Sequence, residues 1–238
     1  MGNFFSHSGD IGDIIYGLPV IRAKGGGTLA LFNYPGRTYQ PMTQARVDKL
    51  YDLFMYQDYI YDFYFSKDKV DTSLNGLRDH LRNGRNTSDA HLSTHGLSWE
   101  HRVKAWLKVP SPLFTTEVVV AWTPRHHSFD FPWSHVVNTY KNRITYLGFE
   151  DDFQEFTRKY GKGCNFYDAK DFMTIARVVE GCRLFIGNLT SITAIAEALK
   201  KNMISEGWNK VPANHFLRPN ALVLYHEDLE LPELCELA

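Results

Sequence analysis

The stretch RLFIGNLTSITAIAEALKK, residues 183–201, decides how the chain is read. Leu184, Phe185 and Ile186 form the short apolar run expected of a buried strand. Gly187 and Asn188 break that run as a turn does. Thr190 and Ser191 follow, and both are good helix N-cap residues. Ile192, Ile195, Ala196 and Leu199 then recur at helical spacing and share one face. The unit is therefore strand, tight polar turn, helix. Such a turn presents backbone N–H groups and the positive end of a helix dipole, which suits a phosphate. Neither cap candidate has Glu or Gln three residues on, so no capping box occupies those N–H groups and they are expected to be free. Many α/β units of this form bind nothing, so the stretch alone implies topology, not activity.

A second unit of the same kind opens the chain. Residues 2–5 (GNFF) read as a strand, and the Gly- and Asp-rich turn HSGDIGD, residues 7–13, follows. Ile14, Ile15, Leu18 and Ile21 continue as the apolar face of a helix. Pro19 lacks the N–H that a mid-helix position donates, so the helix is expected to begin around residues 13–17, with Pro19 in its first turn. Three glycines, 25–27, close the unit, and residues 28–32 (TLALF) make a second strand, which gives a parallel β-α-β unit. Its loop falls at the carboxyl end of the first strand, where open α/β sheets place their sites. Residues 99–107 look helical, and Val109-Pro110-Ser111-Pro112 reads as a linker. Beyond it strand and helix patterns alternate from VVVAW, residues 118–122, to ALVLY, residues 221–225, which implies a parallel sheet. The domains expected are 1–112 and 113–238.

Composition narrows the classes. The 238 residues allow one large domain or two small ones, each with its own core. With 44% hydrophobic and 22% charged residues, the chain has the balance of a soluble globular protein. A net charge of −1 excludes an overall basic field that would draw it to nucleic acid or membrane. The 3 Cys are odd in number and show no C-x-x-C spacing, so reduced thiols in a cytoplasmic setting are expected, without a disulfide framework or zinc site. No apolar run approaches the ~20 residues of a membrane span. Polar residues at positions 6–10 argue against a signal peptide.

Four segments, taken in order, resemble glycosyltransferase family 9, the ADP-heptose:lipopolysaccharide heptosyltransferase type. GDIGDIIYGLPVIRAK, residues 9–24, is similar to its Gly-Asp and Leu-Pro signature, and FIGNLTSITAIAEAL, residues 185–199, to its donor-diphosphate loop and helix. AWTPRHHSFDFPW, residues 121–133, is similar to its basic segment before a Trp/Pro pair, and YLGFEDDFQEF, residues 146–156, to its Gly-then-acid segment. The resemblance implies an α/β protein of GT-B architecture, two Rossmann-like domains with parallel sheets facing across a cleft, here with a trimmed N-terminal domain. It implies inverting, metal-independent transfer of a sugar from a nucleotide-diphosphate sugar to a hydroxyl acceptor, with no cofactor. The acceptor would be a saccharide or glycolipid. Leu189, Ser191 and Ala194 stand where the family usually has an acid, a Gly and a His.

Carried over residue by residue, the resemblance makes Asp13 the general base, with Asp10 as the alternative. A carboxylate at a helix start is favoured in the ionised form a base needs; a plain helix-capping role for Asp13 stays open. Ser8, Gly9, Gly12, Arg125, His126, Glu150, Gly187, Asn188, Thr190 and Ser191 are the expected donor contacts, Arg125 as counter-charge to the leaving diphosphate. Tyr16, Arg37, Tyr39 and His95 are placed on the acceptor side. Two alternatives remain: a basic groove of Arg78, Arg82, Arg85 and Arg102 would suit hydroxymethylated DNA, and the departures at Leu189 and Ala194 would suit an inactive nucleotide-sugar-binding module.

Overall fold

A computed structural model describes residues 2–33, 41–67, 73–77, 86–128, 130–207 and 212–224. The first half contains β1 (Asn3–His7), α1 (Ile11–Ala23), β2 (Gly27–Leu31), α2 (Gln44–Met55), β3 (Ile60–Phe65), α3 (Thr87–Thr94) and a 3₁₀ turn, Trp99–Arg102. The second contains β4 (Val118–Ala121), a 3₁₀ turn at Pro124–His126, α4 (Trp133–Thr139), β5 (Ile144–Leu147), α5 (Glu150–Tyr160) and β6 (Cys164–Tyr167). It continues with α6 (Phe172–Gly181), β7 (Leu184–Gly187), α7 (Ser191–Ala198), β8 (Met203–Glu206) and β9 (Ala221–Leu224).

The strands form two parallel sheets, β1-β2-β3 and β6-β5-β4-β7-β8-β9. The larger sheet starts at its middle. The chain winds outward from β4 through β5 to β6, then returns to the other side of β4 and runs through β7 to β9. Strand order therefore reverses between β4 and β7. In open α/β sheets ligands bind outside the carboxyl ends of the strands at such a reversal. β6 escaped the sequence pattern: it is a half-exposed edge strand, and CNFY carries no apolar run.

Alternation along β4 sets the layering. Val118 and Val120 enter one apolar cluster with Trp133, Phe156 and Ile186. Val119 and Ala121 enter another, and that one also holds Phe5, Ile14, Leu18, Leu50 and Phe54 from the first half. The two halves thus share a core, made where α1 packs on α7 and α2 on α6. Among the described residues, no helix is long and apolar enough to cross a membrane.

Two expectations need correction. Residues 99–107 are helical only over Trp99–Arg102. The chain then extends because the N–H groups of Trp106 and Leu107 donate to the Ala198 carbonyl at the end of α7 (3.0 and 3.3 Å). The proline-rich connection that follows is packed down as well: Lys108 N–H donates to Gln57 Oε1 (2.9 Å), and Leu113 N–H to the Arg177 carbonyl (2.7 Å).

The second correction concerns Pro19. It lies inside α1, which begins at Ile11 and runs unbroken past it. A proline there deprives the carbonyl four residues back, that of Ile15, of its N–H donor. The Trp106 indole N–H supplies the missing hydrogen bond, donating to the Ile15 carbonyl at 3.0 Å. Trp106→Phe should therefore leave a buried carbonyl unpaired and cost about 1–3 kcal/mol in denaturant unfolding. In a Pro19→Ala background, where residue 19 regains an N–H, the same substitution should cost measurably less.

Candidate functional site

The turn after β1 is built around one close fit. Gly9 N–H donates to His7 Nδ1 (2.8 Å), and a Cβ on Gly9 would stand 2.5 Å from His7 Cε1 and 3.2 Å from Asp13 Oδ2. Only glycine lets the loop fold back over the His7 ring beneath the Asp13 carboxylate. Asn75 clasps the neighbouring Ser8, accepting its N–H and donating to its Oγ, both at 3.0 Å. Asp10 holds the N-cap position of α1, but its side chain makes no capping hydrogen bond.

The turn after β7 is tied differently. Asn188 is fully buried, and its amide holds Thr123 on both sides, donating to the Thr123 carbonyl (2.7 Å) and accepting the Thr123 N–H (3.0 Å). Its side chain joins the loops after β7 and β4 and also hydrogen-bonds the Glu206 carboxylate, which corrects the expectation of a direct donor contact. Thr190 caps α7 by accepting the Thr193 N–H at 3.1 Å. One first-turn N–H group expected to be free is therefore taken. At Gly187 a Cβ would stand 2.8 Å from the Ala121 carbonyl, so glycine there lets β7 and β4 approach.

These turns meet. A Cβ on Gly12 would stand 3.6 Å from Ser191 Cα and 3.8 Å from the Thr190 carbonyl oxygen. The N-terminal ends of α1 and α7, one from each half, are thus in van der Waals reach, and each carries about half a positive charge. Arg125, from the loop after β4, places Nη1 4.0 Å from Asp10 Oδ2, with side chains 39% and 42% exposed. His126 adjoins both Arg125 and Asp10, and burial foremost pushes its pKa down to about 4, so the imidazole is neutral near pH 7. Arg46, in the first turn of α2, also feels Asp10: burial lowers its pKa and the carboxylate opposes that. Nothing in the sequence distinguishes Arg46 from an ordinary helix-face cation. Glu150 is exposed in the first turn of α5, after β5, on the same carboxyl edge of the sheet as the loop bearing Arg125.

Other residues expected at the site lie elsewhere. Tyr16 is 2% exposed and packs on Phe216, ring centroids 5.7 Å apart, because its face of α1 is the one turned inward. It cannot line an acceptor surface. His95 caps the C-terminus of α3 near Lys24, at the far end of α1 and about 20 Å of helix rise from Asp10. Arg37 and Tyr39 lie outside the described residues, as do Arg78, Arg82 and Arg85 of the basic groove. Arg102, its remaining member, is buried: it donates to Asp89 and to the Phe216 carbonyl, both at 3.0 Å. It is a structural cation, unavailable to a phosphate backbone. Cys164 and Cys182 have thiol pKa values pushed up to about 12 by burial, unlike nucleophiles.

No protein-family model matches the sequence, and no curated protein does. Solved structures match over nearly the whole chain. A family 9 glycosyltransferase from Veillonella parvula superposes with a TM-score of 0.61 at 11% identity, over 94% of this chain and 85% of that one. The E. coli heptosyltransferase WaaC with ADP gives 0.57 at 10% identity, over 92% of each chain. TibC, an iron-containing dodecameric glycosyltransferase from enterotoxigenic E. coli, gives 0.60 at 13% identity, over 94% of this chain and 63% of that one. The fold is therefore that of the GT-B glycosyltransferases, and the likeness runs to the same family whose motifs the sequence resembles.

Burial also makes a pH signature beneath this site. The His91 ring lies against Gly17 of α1, 3.3 Å from where a Cβ would stand, and its centroid is 5.5 Å from that of His7. Desolvation pushes the His91 pKa down to about 3. Between pH 6.5 and 3 the unfolded chain binds a proton that folded His91 refuses, so this group's contribution falls as pH falls. Replacing His91 with Gln should flatten the acid side of a stability-against-pH curve by up to about 1.4 kcal/mol per pH unit. An unchanged slope would place the acid lability in other groups.

Proposed function

We propose that the protein is an inverting glycosyltransferase that moves a sugar from a nucleotide-diphosphate sugar to a hydroxyl of a saccharide or glycolipid acceptor. The observation that carries this reading is the meeting of the two βα corners, Gly12 against Ser191, with Arg125 at 4.0 Å from Asp10 beside them. Two helix N-termini and a guanidinium converge where carboxylates already stand. That is the charge pattern needed by a reaction that expels a diphosphate and removes a proton. Support also comes from the solved glycosyltransferases that share this fold, WaaC among them with ADP bound.

In this reading the diphosphate lies across the start of α7 with Arg125 as its counter-charge. Asp13 takes the proton of the acceptor hydroxyl. The oxygen attacks the anomeric carbon from the face opposite the leaving group, and the bond to the diphosphate breaks with its electron pair. The helix N-termini and Arg125 take up the charge that develops on the leaving oxygens, so the proposal needs no metal. His126, neutral, offers a hydrogen bond and not a charge. Glu150 would reach a ribose hydroxyl from the neighbouring loop.

Asp13→Asn, folded to the wild-type melting temperature, should lower transfer by at least about a hundredfold while nucleotide binding is kept. Full activity in that variant would remove Asp13 from the mechanism. Arg125→Ala should instead weaken ADP binding measured by calorimetry. Transfer that survives exhaustive chelation would support the metal-independent form.

A further inference from the structure

The loop that carries Arg125 and His126 is fastened at both ends by buried side chains, Asn188 at one and Glu206 at the other. Asn188 holds Thr123. Three residues beyond His126's neighbour Arg125, Ser128 is held by a residue with no part in the proposed chemistry. Glu206, the last residue of β8, is fully buried and its carboxylate collects donors from the loop after β4. Oε1 accepts the Ser128 N–H and lies 2.8 Å from His127 Nδ1, and Oε2 accepts the Trp133 indole N–H at 3.0 Å. His127 Nε2 in turn lies 2.9 Å from the Tyr160 hydroxyl on α5. Asn214 donates to the Glu206 carbonyl (2.8 Å) and to Ser205 Oγ (2.7 Å), which steadies the strand end.

We propose that Glu206 is a positioning residue for the diphosphate site: through Ser128, His127 and Trp133 it fixes the Pro124–His126 turn so that Arg125 faces Asp10. The inference rests on reading Arg125 as the diphosphate contact. Burial pushes the Glu206 pKa up to about 7, and hydrogen bonds from Ser128, Trp133 and Asn188 oppose that shift by favouring the ionised carboxylate, which is acceptor-only and can take several N–H donors at once. Buried without them, it would carry a large desolvation cost. An apolar residue at the end of β8 would satisfy the sheet equally well but would leave the Ser128 and Trp133 N–H groups without acceptors. When Glu206 is ionised it accepts from His127 Nδ1–H, which leaves Nε2 as the acceptor for the Tyr160 hydroxyl. The part-buried chain Tyr160–His127–Glu206 thus links α5, the loop after β4 and β8 behind the site, touching no substrate.

The test uses the full chain and ADP as the probe. Glu206→Gln keeps the shape but turns an amide donor toward one of the N–H groups, and it should weaken ADP binding by about tenfold. In an Arg125→Ala background the same substitution should change binding by less than about twofold, because Glu206 acts through Arg125. Additive losses in the two variants, or no loss in Glu206→Gln, would overturn the proposal. Trp133→Phe, which removes one donor and keeps the carboxylate, repeats the cycle if Glu206→Gln does not fold. A ligand-free readout separates this idea from the reading it rests on. The Arg125 Nε–H resonance and the His127 ring nitrogen shifts in an NMR spectrum should be ordered in the wild type and altered in Glu206→Gln. If the wild type binds no ADP and those signals still respond, the positioning stands and the transferase reading falls. If they do not respond, the positioning role is wrong whatever ADP does.

Discussion

The Trp106 side chain is the constraint on which the two halves depend. Its indole N–H completes the broken hydrogen-bond ladder of α1 at the Ile15 carbonyl, and its backbone N–H donates to the last turn of α7. Its own carbonyl accepts the hydroxyl of Tyr59, the residue just before β3. The Lys200 ammonium lies over its ring, 4.5 Å from the centroid, and is itself paired with the buried carboxylate of Glu197. One residue of the connecting segment thus joins the first sheet, its first helix and the second sheet's last packed helix. A proline that would be a defect in an isolated helix becomes a docking point, because the connecting segment supplies the donor the proline lacks.

That docking fixes α1 against α7, and the site follows from it. Two helices packed side by side bring their N-termini to one place only if their starting turns are level, and contact at Gly12 and Ser191 shows that they are. The turn after β4 arrives at the same place because strand order reverses between β4 and β7. Positive ends of dipoles and two arginines then accumulate around Asp10 and Asp13. Like ends of dipoles repel, so an arrangement of this kind is unfavourable until an anion or carboxylate compensates it. Asp10, loosely paired with Arg125 and only partly buried, serves as that compensation in the structure described.

Much of this could be read from residue patterns. Strand–turn–helix units at both ends of the chain, the parallel sheets, and the glycines of the first turn all follow from local periodicity and backbone chemistry. Asp171, Thr43 and Thr190 act as helix caps, as their side chains permit. What escaped was set by partners distant in sequence. Pro19 looked like a helix start because its compensating donor lies 87 positions further on, at Trp106. Tyr16 and Arg102 looked available because a side chain's chemistry does not tell which face turns inward. Glu206, Arg46 and Asn75 gave no signal, since each matters only through what it touches.

The sequence by itself determined most of the alphabet of the fold, the strands, helices and turns that propensity and spacing over a few residues decide; β6, the segment after Arg102 and the start of α1 needed more. The tertiary structure alone decided which turns become neighbours, which polar groups are buried, and hence which of the many carboxylates and cations act together. Those are questions of long-range packing, in which a single interior hydrogen bond such as that between Trp106 and Ile15 outweighs a local rule.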